Sequence, residues 1–147
     1  MSFDGFLADA EAGVVNTVLS VLRNDNAVSD ALGEPARVFD SETEGGYFPY
    51  VRLERHRVRP ADTLDAARHE HELQFESRSK FGGFLEAKTI LGALRKAIEG
   101  ADWEAAAPVR QRVVMAIVTY ADVMRTRRGT SLRGVFRVKL LVEDAHG

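Results

Sequence analysis

Two stretches of this chain alternate apolar and polar side chains residue by residue, and that period-two pattern restricts the fold more than anything else in it. Between His69 and Ser77, Leu73 and Phe75 alternate with Glu72, Gln74 and Glu76. Between Leu132 and Val142, the set Phe136, Val138, Leu140 and Val142 alternates with Val135, Arg137, Lys139 and Leu141. Successive side chains of a strand point to opposite faces, so each stretch predicts a strand with one buried side. Two partners are predicted beside them. Phe48 to about Val58 reads as a strand with Pro49 at its start, where a missing N–H is tolerated. Val113 to Val123 is rich in β-branched residues and reads as another. The segment Arg59 to Arg68, with Pro60 and Asp62, is then the tip of a long projecting hairpin, and Arg125 to Thr130, with Gly129, is the basic turn of a second. Arg37-Val38-Phe39 is a short extra strand, and Ser41 to Gly46 is a polar, glycine-bearing loop.

Two longer segments change to helical spacing. Leu7, Ala10, Val14, Val18, Val21 and Leu22 share one face of a helix over Leu7 to Arg23, which Asn24-Asp25-Asn26 ends. One or two further turns fit Ala27 to Leu32, stopped by Gly33 and Pro35. After Gly82-Gly83, the residues Phe84, Ala87, Leu91, Leu94 and Ile98 form a stripe, with Glu86, Lys88, Lys96 and Glu99 away from it and Gly100 as the stop. Asp102 to Pro108 connects this helix to the next strand around Trp103. The expected architecture is α+β: a mostly antiparallel sheet of two long hairpins plus a short strand, with two main helices on one face. The 147 residues suit one domain over residues 1–147, without repeats or a dividing linker.

Composition excludes several functions. The chain contains no cysteine, so disulfides, thiol nucleophiles and Cys-based zinc sites are ruled out together. No apolar run approaches the ~18 residues of a membrane span, and the first residues, Met1-Ser2-Phe3-Asp4-Gly5, do not resemble a signal peptide. A formal net charge of −2 is unlike the basic surplus of a duplex-binding protein. Gly82-Gly83 has neither Walker nor GxGxxG spacing and reads as a turn into a helix. There is no GxSxG elbow, and the carboxylate pairs Glu42/Glu44 and Glu70/Glu72 read as solvated. No catalytic residue and no cofactor are expected.

Two constellations remain. His69 and His71 lie two apart and so on one side of their strand, with His56 and Glu54 on the partner strand. Three such donors on one face would make a zinc site, and a metal-dependent enzyme using His69 and His71 is one alternative reading. Register opposes it. Matching Val51 and Leu53 to Leu73 and Phe75 turns His56 to the other face, unless a bulge intervenes. The second constellation is basic. Arg52, Arg55, Arg57 and Arg59 decorate one arm of the first hairpin, and Arg125, Arg127, Arg128 and Arg133 surround the second. They form either a contact surface for acidic protein patches or phosphates, or charged strand ends that prevent edge pairing.

Short segments in order also resemble a known family: Asn26-Ala27-Val28 with Leu32-Gly33, Arg37-Val38-Phe39-Asp40, Phe48-Pro49-Tyr50-Val51, His71-Glu72-Leu73-Gln74-Phe75 with Ser77, Gly83 with Glu86-Ala87-Lys88 and Ile90, and Gly134-Val135-Phe136-Arg137-Val138. Over about residues 19–143 they resemble the phage tail-completion family of siphophage-type tails and gene transfer agents, similar to the lambda-type tail terminator. The resemblance implies a structural virion protein that is not an enzyme: a homohexameric ring that ends tail-tube polymerisation and joins the tail to the head-side connector. The partners implied are copies of itself, the tail tube protein and a head-side stopper or adaptor, within a phage-like particle assembled in the bacterial cytoplasm. DNA would pass through the lumen without sequence-specific binding, and no membrane or cofactor is implied. A neck, stopper or minor tail protein is the nearest alternative. At ordinary packing density the chain has a radius of gyration of about 15 Å, and six such subunits leave a hole wide enough for a duplex. Ring closure needs a head-to-tail interface. The expected contact residues are Arg55, Arg57, Arg59 and Asp62 on the first hairpin and Arg125, Arg127 and Arg128 on the second.

Overall fold

The computed structural model describes residues 3–40, 47–80, 84–107, 110–126, 129 and 131–144, with side chains from residue 11 onward. The order is α1 (Phe3–Arg23), α2 (Asn26–Leu32), β1 (Val38–Phe39), β2 (Tyr50–Pro60), β3 (Arg68–Ser79), α3 (Phe84–Gly100), the short α4 (Trp103–Ala106), β4 (Gln111–Arg125) and β5 (Leu132–Asp144). The five strands form one sheet in the order β1-β2-β3-β5-β4. Only β1 runs parallel to its neighbour, β2; the other three pairings are antiparallel. The fold is thus the α+β arrangement of two hairpins and a short strand.

The alternation read in β3 and β5 sets the two faces. Leu73 and Phe75 pair with Val138 and Phe136, and all four are fully buried. Helix α3 crosses this inner face against β3, β5 and β4, burying Ala87, Ile90, Leu91, Leu94 and Ile98. Helix α1 packs against α3 and β1 through Val14, Val18, Leu19 and Leu22. The first two stripe positions of α1, Leu7 and Ala10, lie outside the described side chains. Phe84, expected in the buried stripe of α3, is 39% exposed; it sits at the first turn, beyond the sheet, with the Arg125 guanidinium 5.3 Å from its ring centre.

Local caps explain where the helices stop and start. The Asp25 carboxylate accepts from the Val28 N–H and begins α2, as an N-cap does. Gly33 ends it at φ +90°, a left-handed backbone angle that favours glycine. The Trp103 indole N–H donates to the Ile98 carbonyl at 3.0 Å, satisfying one of the last acceptors of α3.

Gly134 lies where β5 passes under α3. A Cβ there would stand 2.2 Å from the Ser77 hydroxyl and 3.2 Å from a Leu91 methyl. Gly134→Ala is therefore expected to lower stability in urea denaturation by roughly 1–3 kcal/mol, the usual cost of overpacking. Adding Ser77→Ala, which removes the nearest clashing atom, should recover part of that loss.

Candidate interaction surface

The helices cover only the inner face. The outer face is built from the polar half of each alternating strand, and its side chains satisfy one another. Glu76, in β3, is only 1% exposed although no helix covers it. One carboxylate oxygen accepts from Arg52 Nε at 2.7 Å, and the other from Arg78 Nε at 2.7 Å and Arg133 Nε at 2.8 Å. Arg133 also holds the Glu54 carboxylate at 2.6 Å, and Glu54 accepts from Gln74 at 2.9 Å. Gln74 in turn accepts from Arg137, whose guanidinium lies 4.7 Å from the Tyr120 ring centre. The chain of contacts crosses β2, β3, β5 and β4. Burial alone would push the Glu76 pKa up, but the hydrogen bonds from Arg78, Arg133 and Arg52 outweigh it and hold the carboxyl below its usual range.

The β2–β3 pairing contains the main departure from the expected register. It shifts between Leu53 and Arg55, so Glu54 is the extra residue of a bulge. Beyond it, Arg55, Arg57 and Arg59 stand on the outer face opposite Gln74, Glu72 and Glu70, and His56 and Val58 face inward. The expectation that His56 lies on the face away from His71 and His69 is therefore corrected: all three occupy the inner face. His56 Nε2 and His71 Nδ1 are 3.0 Å apart, with ring planes within 15° and centres 5.2 Å apart. That centre distance equals one hydrogen bond plus two ring radii, so the rings lie edge to edge in nearly one plane rather than stacked. Each donates to or accepts from the other, and neither nitrogen lone pair is free to join the other on a metal. Among the described residues no group of three metal-type donors is placed to hold an ion. Burial, with His56 and His69 nearby, lowers the His71 pKa to about 4. Burial also lowers that of His56, against the pull of Glu11 in α1.

The hairpins point to opposite ends of the sheet. The β2–β3 tip lies level with the start of β4, whereas the β4–β5 turn lies level with Tyr50 and Ser79. At strand rise, the two ends are about 35 Å apart.

A family model described as tail completion protein gp17 matches residues 16–143. The chain belongs to this family. It is a structural component of a phage-type tail. Among solved structures, a chain titled as part of the virion of a native gene transfer agent (GTA) particle superposes with a TM-score of 0.79. The two are 24% identical, and the match covers 91% of this chain and 97% of that one, a likeness of fold. No curated protein matches the sequence.

The expected contact residues are engaged within the chain to different degrees. Arg59 is tied to Glu70, which Lys139 also meets at 3.3 Å. The Asp62 carboxylate accepts from the Arg68 N–H at 3.0 Å and so builds the hairpin tip from within. Arg55 and Arg57 have no ion-pair partner among the described residues. Arg125 is exposed at the far end over Phe84, and Arg127 and Arg128 lie outside the described residues. The described members of the expected site are thus split between opposite ends of the sheet, and Arg55 and Arg57 are the ones without an ion-pair partner among the described residues. The Glu76 network was missed from sequence because its partners are up to 57 positions away.

Glu76→Gln leaves three guanidinium groups without their shared charge and should cost about 3–5 kcal/mol in urea denaturation at neutral pH. Glu72→Gln, a carboxylate outside the network, serves as the control and should stay within about 0.5 kcal/mol of the parent. Stability should also fall with acid. The folded chain binds fewer protons than the unfolded one at both His71 and Glu76, because both pKa values are lowered. The His71 contribution is lost between the ordinary value of 6.5 and about 4, a change on the order of 3 kcal/mol. Glu76 adds its loss below the ordinary carboxylate range. Urea midpoints at stepped pH should show this slope, and His71→Gln should flatten its upper part.

Proposed function

We propose that this tail completion family member is the subunit of a homohexameric ring that ends tail-tube polymerisation and joins the tail to the head-side connector. The observation that carries this reading is the family match over residues 16–143. The geometry supports it in two ways. A ring subunit in that position needs one end for the tube and another for the head-side stopper or adaptor, and the two hairpins reach opposite ends of one sheet. It also needs two lateral surfaces for its neighbours, and the sheet has two sides with exposed strands. The particle is a phage or gene-transfer-agent virion assembled in the bacterial cytoplasm. DNA passes along the ring axis without base-specific contact.

The chain acts without a cofactor and not as an enzyme. An enzyme using His69 and His71 is disfavoured because His71 is 2% exposed and its Nδ1 is already bonded to His56. A neck, stopper or minor tail protein shares the same family-level support, and the partner distinguishes it: a terminator binds the tube protein, a stopper the head-side adaptor.

Native mass across a concentration series, with and without purified tail-tube protein, tests the reading, together with electron microscopy of any large species. Sixfold rings alone or on tube ends are the expected result. A monomer that ignores the tube at every concentration would move the assignment to a neck or stopper protein. Charge reversal at the two ends, Arg57→Glu and Arg125→Glu, should each weaken ring assembly or tube binding by about tenfold, as expected when an interfacial charge is inverted. If both variants assemble and bind as the parent does, the hairpin ends are not the docking surfaces.

A further inference from the structure

The two sides of the sheet are unequal, and they fit one another. Strand β4 is the last in the sheet, and among the described residues nothing pairs with its outer edge along 15 residues. Its exposed side chains include Val114, Met115, Ile117 and Tyr120. On the other side, β1 covers β2 only at Val51 and Arg52, so among the described residues β2 from Leu53 to Pro60 also has no strand paired along its outer edge. An exposed edge of this length presents a row of unpaired donors and acceptors. We propose that the β4 edge of one copy pairs antiparallel with the distal half of β2 in the next copy, continuing the sheet around the ring. The proposal rests on the ring reading and specifies its subunit interface.

Direction, charge and space select this pairing. In a ring all copies point the same way, and β2 and β4 of one copy run in opposite directions, so the junction is antiparallel. In the sheet Arg55 stands level with Tyr120, and Asp122 is two levels farther along. A stagger of two residues preserves the faces and sets Arg55 of one copy beside Asp122 of the next. Asp122 is the outer-face carboxylate of β4; it accepts from the Val123 N–H at 2.9 Å, which holds it at the free edge. The same stagger sets Arg57 beside Tyr120, the stem of Arg59 along Ile117, and Val58 beside Val118. It brings the acidic tip, with Asp62 and Asp65, toward Arg112, and β1 then meets only the end of β4, near Met124. Pairing β4 with itself is disfavoured. It would oppose the basic ends, Arg110 and Arg112 against Arg125, and like charges opposed across strands repel. It would also stop at a dimer.

The chain has no cysteine, so an introduced pair gives the only possible disulfide. The test uses Arg57→Cys with Tyr120→Cys under mild oxidation, and separately the charge swap Arg55→Asp with Asp122→Arg, all checked for folding by thermal melting. The expected result is a ladder of covalent oligomers from the double-cysteine chain and none from either single. Each single charge reversal should lower ring yield by about tenfold or more, and the swap should restore it. A covalent dimer from Tyr120→Cys alone would overturn the proposal in favour of β4 self-pairing. Rings from the double-cysteine chain that never cross-link, with both reversals assembling like the parent, would overturn it while leaving the ring reading intact. If the parent forms no rings either alone or with tube protein, the ring reading fails, and the double-cysteine chain at high concentration still decides whether these edges meet.

Discussion

One buried carboxylate governs how the sheet is put together. Glu76 lies on the face that no helix covers, yet it is shielded from water by Arg52, Arg78 and Arg133. Burying a charge costs several kcal/mol, and the cost is offset only when charge-assisted hydrogen bonds saturate it. Here both oxygens are occupied, and the arginine stems also cover the sheet beneath them. The three partners come from β2, β3 and β5, so the network exists in one register only. A slip of one residue would carry Glu76 into the apolar layer against α3 and lift Leu73 and Phe75 out of it. The outer face therefore specifies register as firmly as the apolar core does, by ionic rather than apolar means.

The bulge at Glu54 allows β2 to serve both purposes. Before it, Val51 and Leu53 face the helices and Arg52 reaches Glu76. After it, His56 and Val58 face inward, and the arginines emerge at an edge with no paired strand among the described residues. Without the extra residue, Arg55 and Arg57 would point toward α1 as buried, unpaired charges. The bulge also brings His56 to His71, where an edge-to-edge hydrogen bond satisfies two imidazoles that burial keeps neutral.

What was legible in the sequence follows from how local each signal is. The faces of β3 and β5 were plain because strict alternation needs no partner to interpret it. The pairing of the hairpins and the single helical layer followed from those faces. The bulge leaves a trace in the sequence: Val51 and Leu53 occupy odd positions and Val58 an even one, and that change of parity marks an inserted residue. In β4 the bulges between Val113 and Met115 and between Val118 and Tyr120 break the alternation twice, so apolar content predicted the strand but not its faces. Phe84 fitted a helical stripe by spacing and is nonetheless half-exposed, because the stripe extends one turn past the sheet it packs on. The arginines were visible as a group, but only tertiary contacts separate Arg52 and Arg133, which hold Glu76, from Arg55 and Arg57, which have no ion-pair partner among the described residues.

The part of the outer face around Glu76, already saturated with its own ion pairs, gains little from burying itself against a partner, since each pair would have to be desolvated again or broken. The backbone groups on the free edges of β4 and distal β2 are different: apart from the Val123 N–H, which donates to the Asp122 carboxylate, no strand pairs with them among the described residues, and a second strand can take the place of water directly. Each such hydrogen bond is worth only about 0.5–1.5 kcal/mol net, so an interface of a few rungs is weak between two free subunits. Held together on the end of a tube, the same rungs form at high effective concentration, and each subunit added is held from both sides. In the proposed ring, weak lateral edges and a charged end that binds the tube would make assembly conditional on the tube being present.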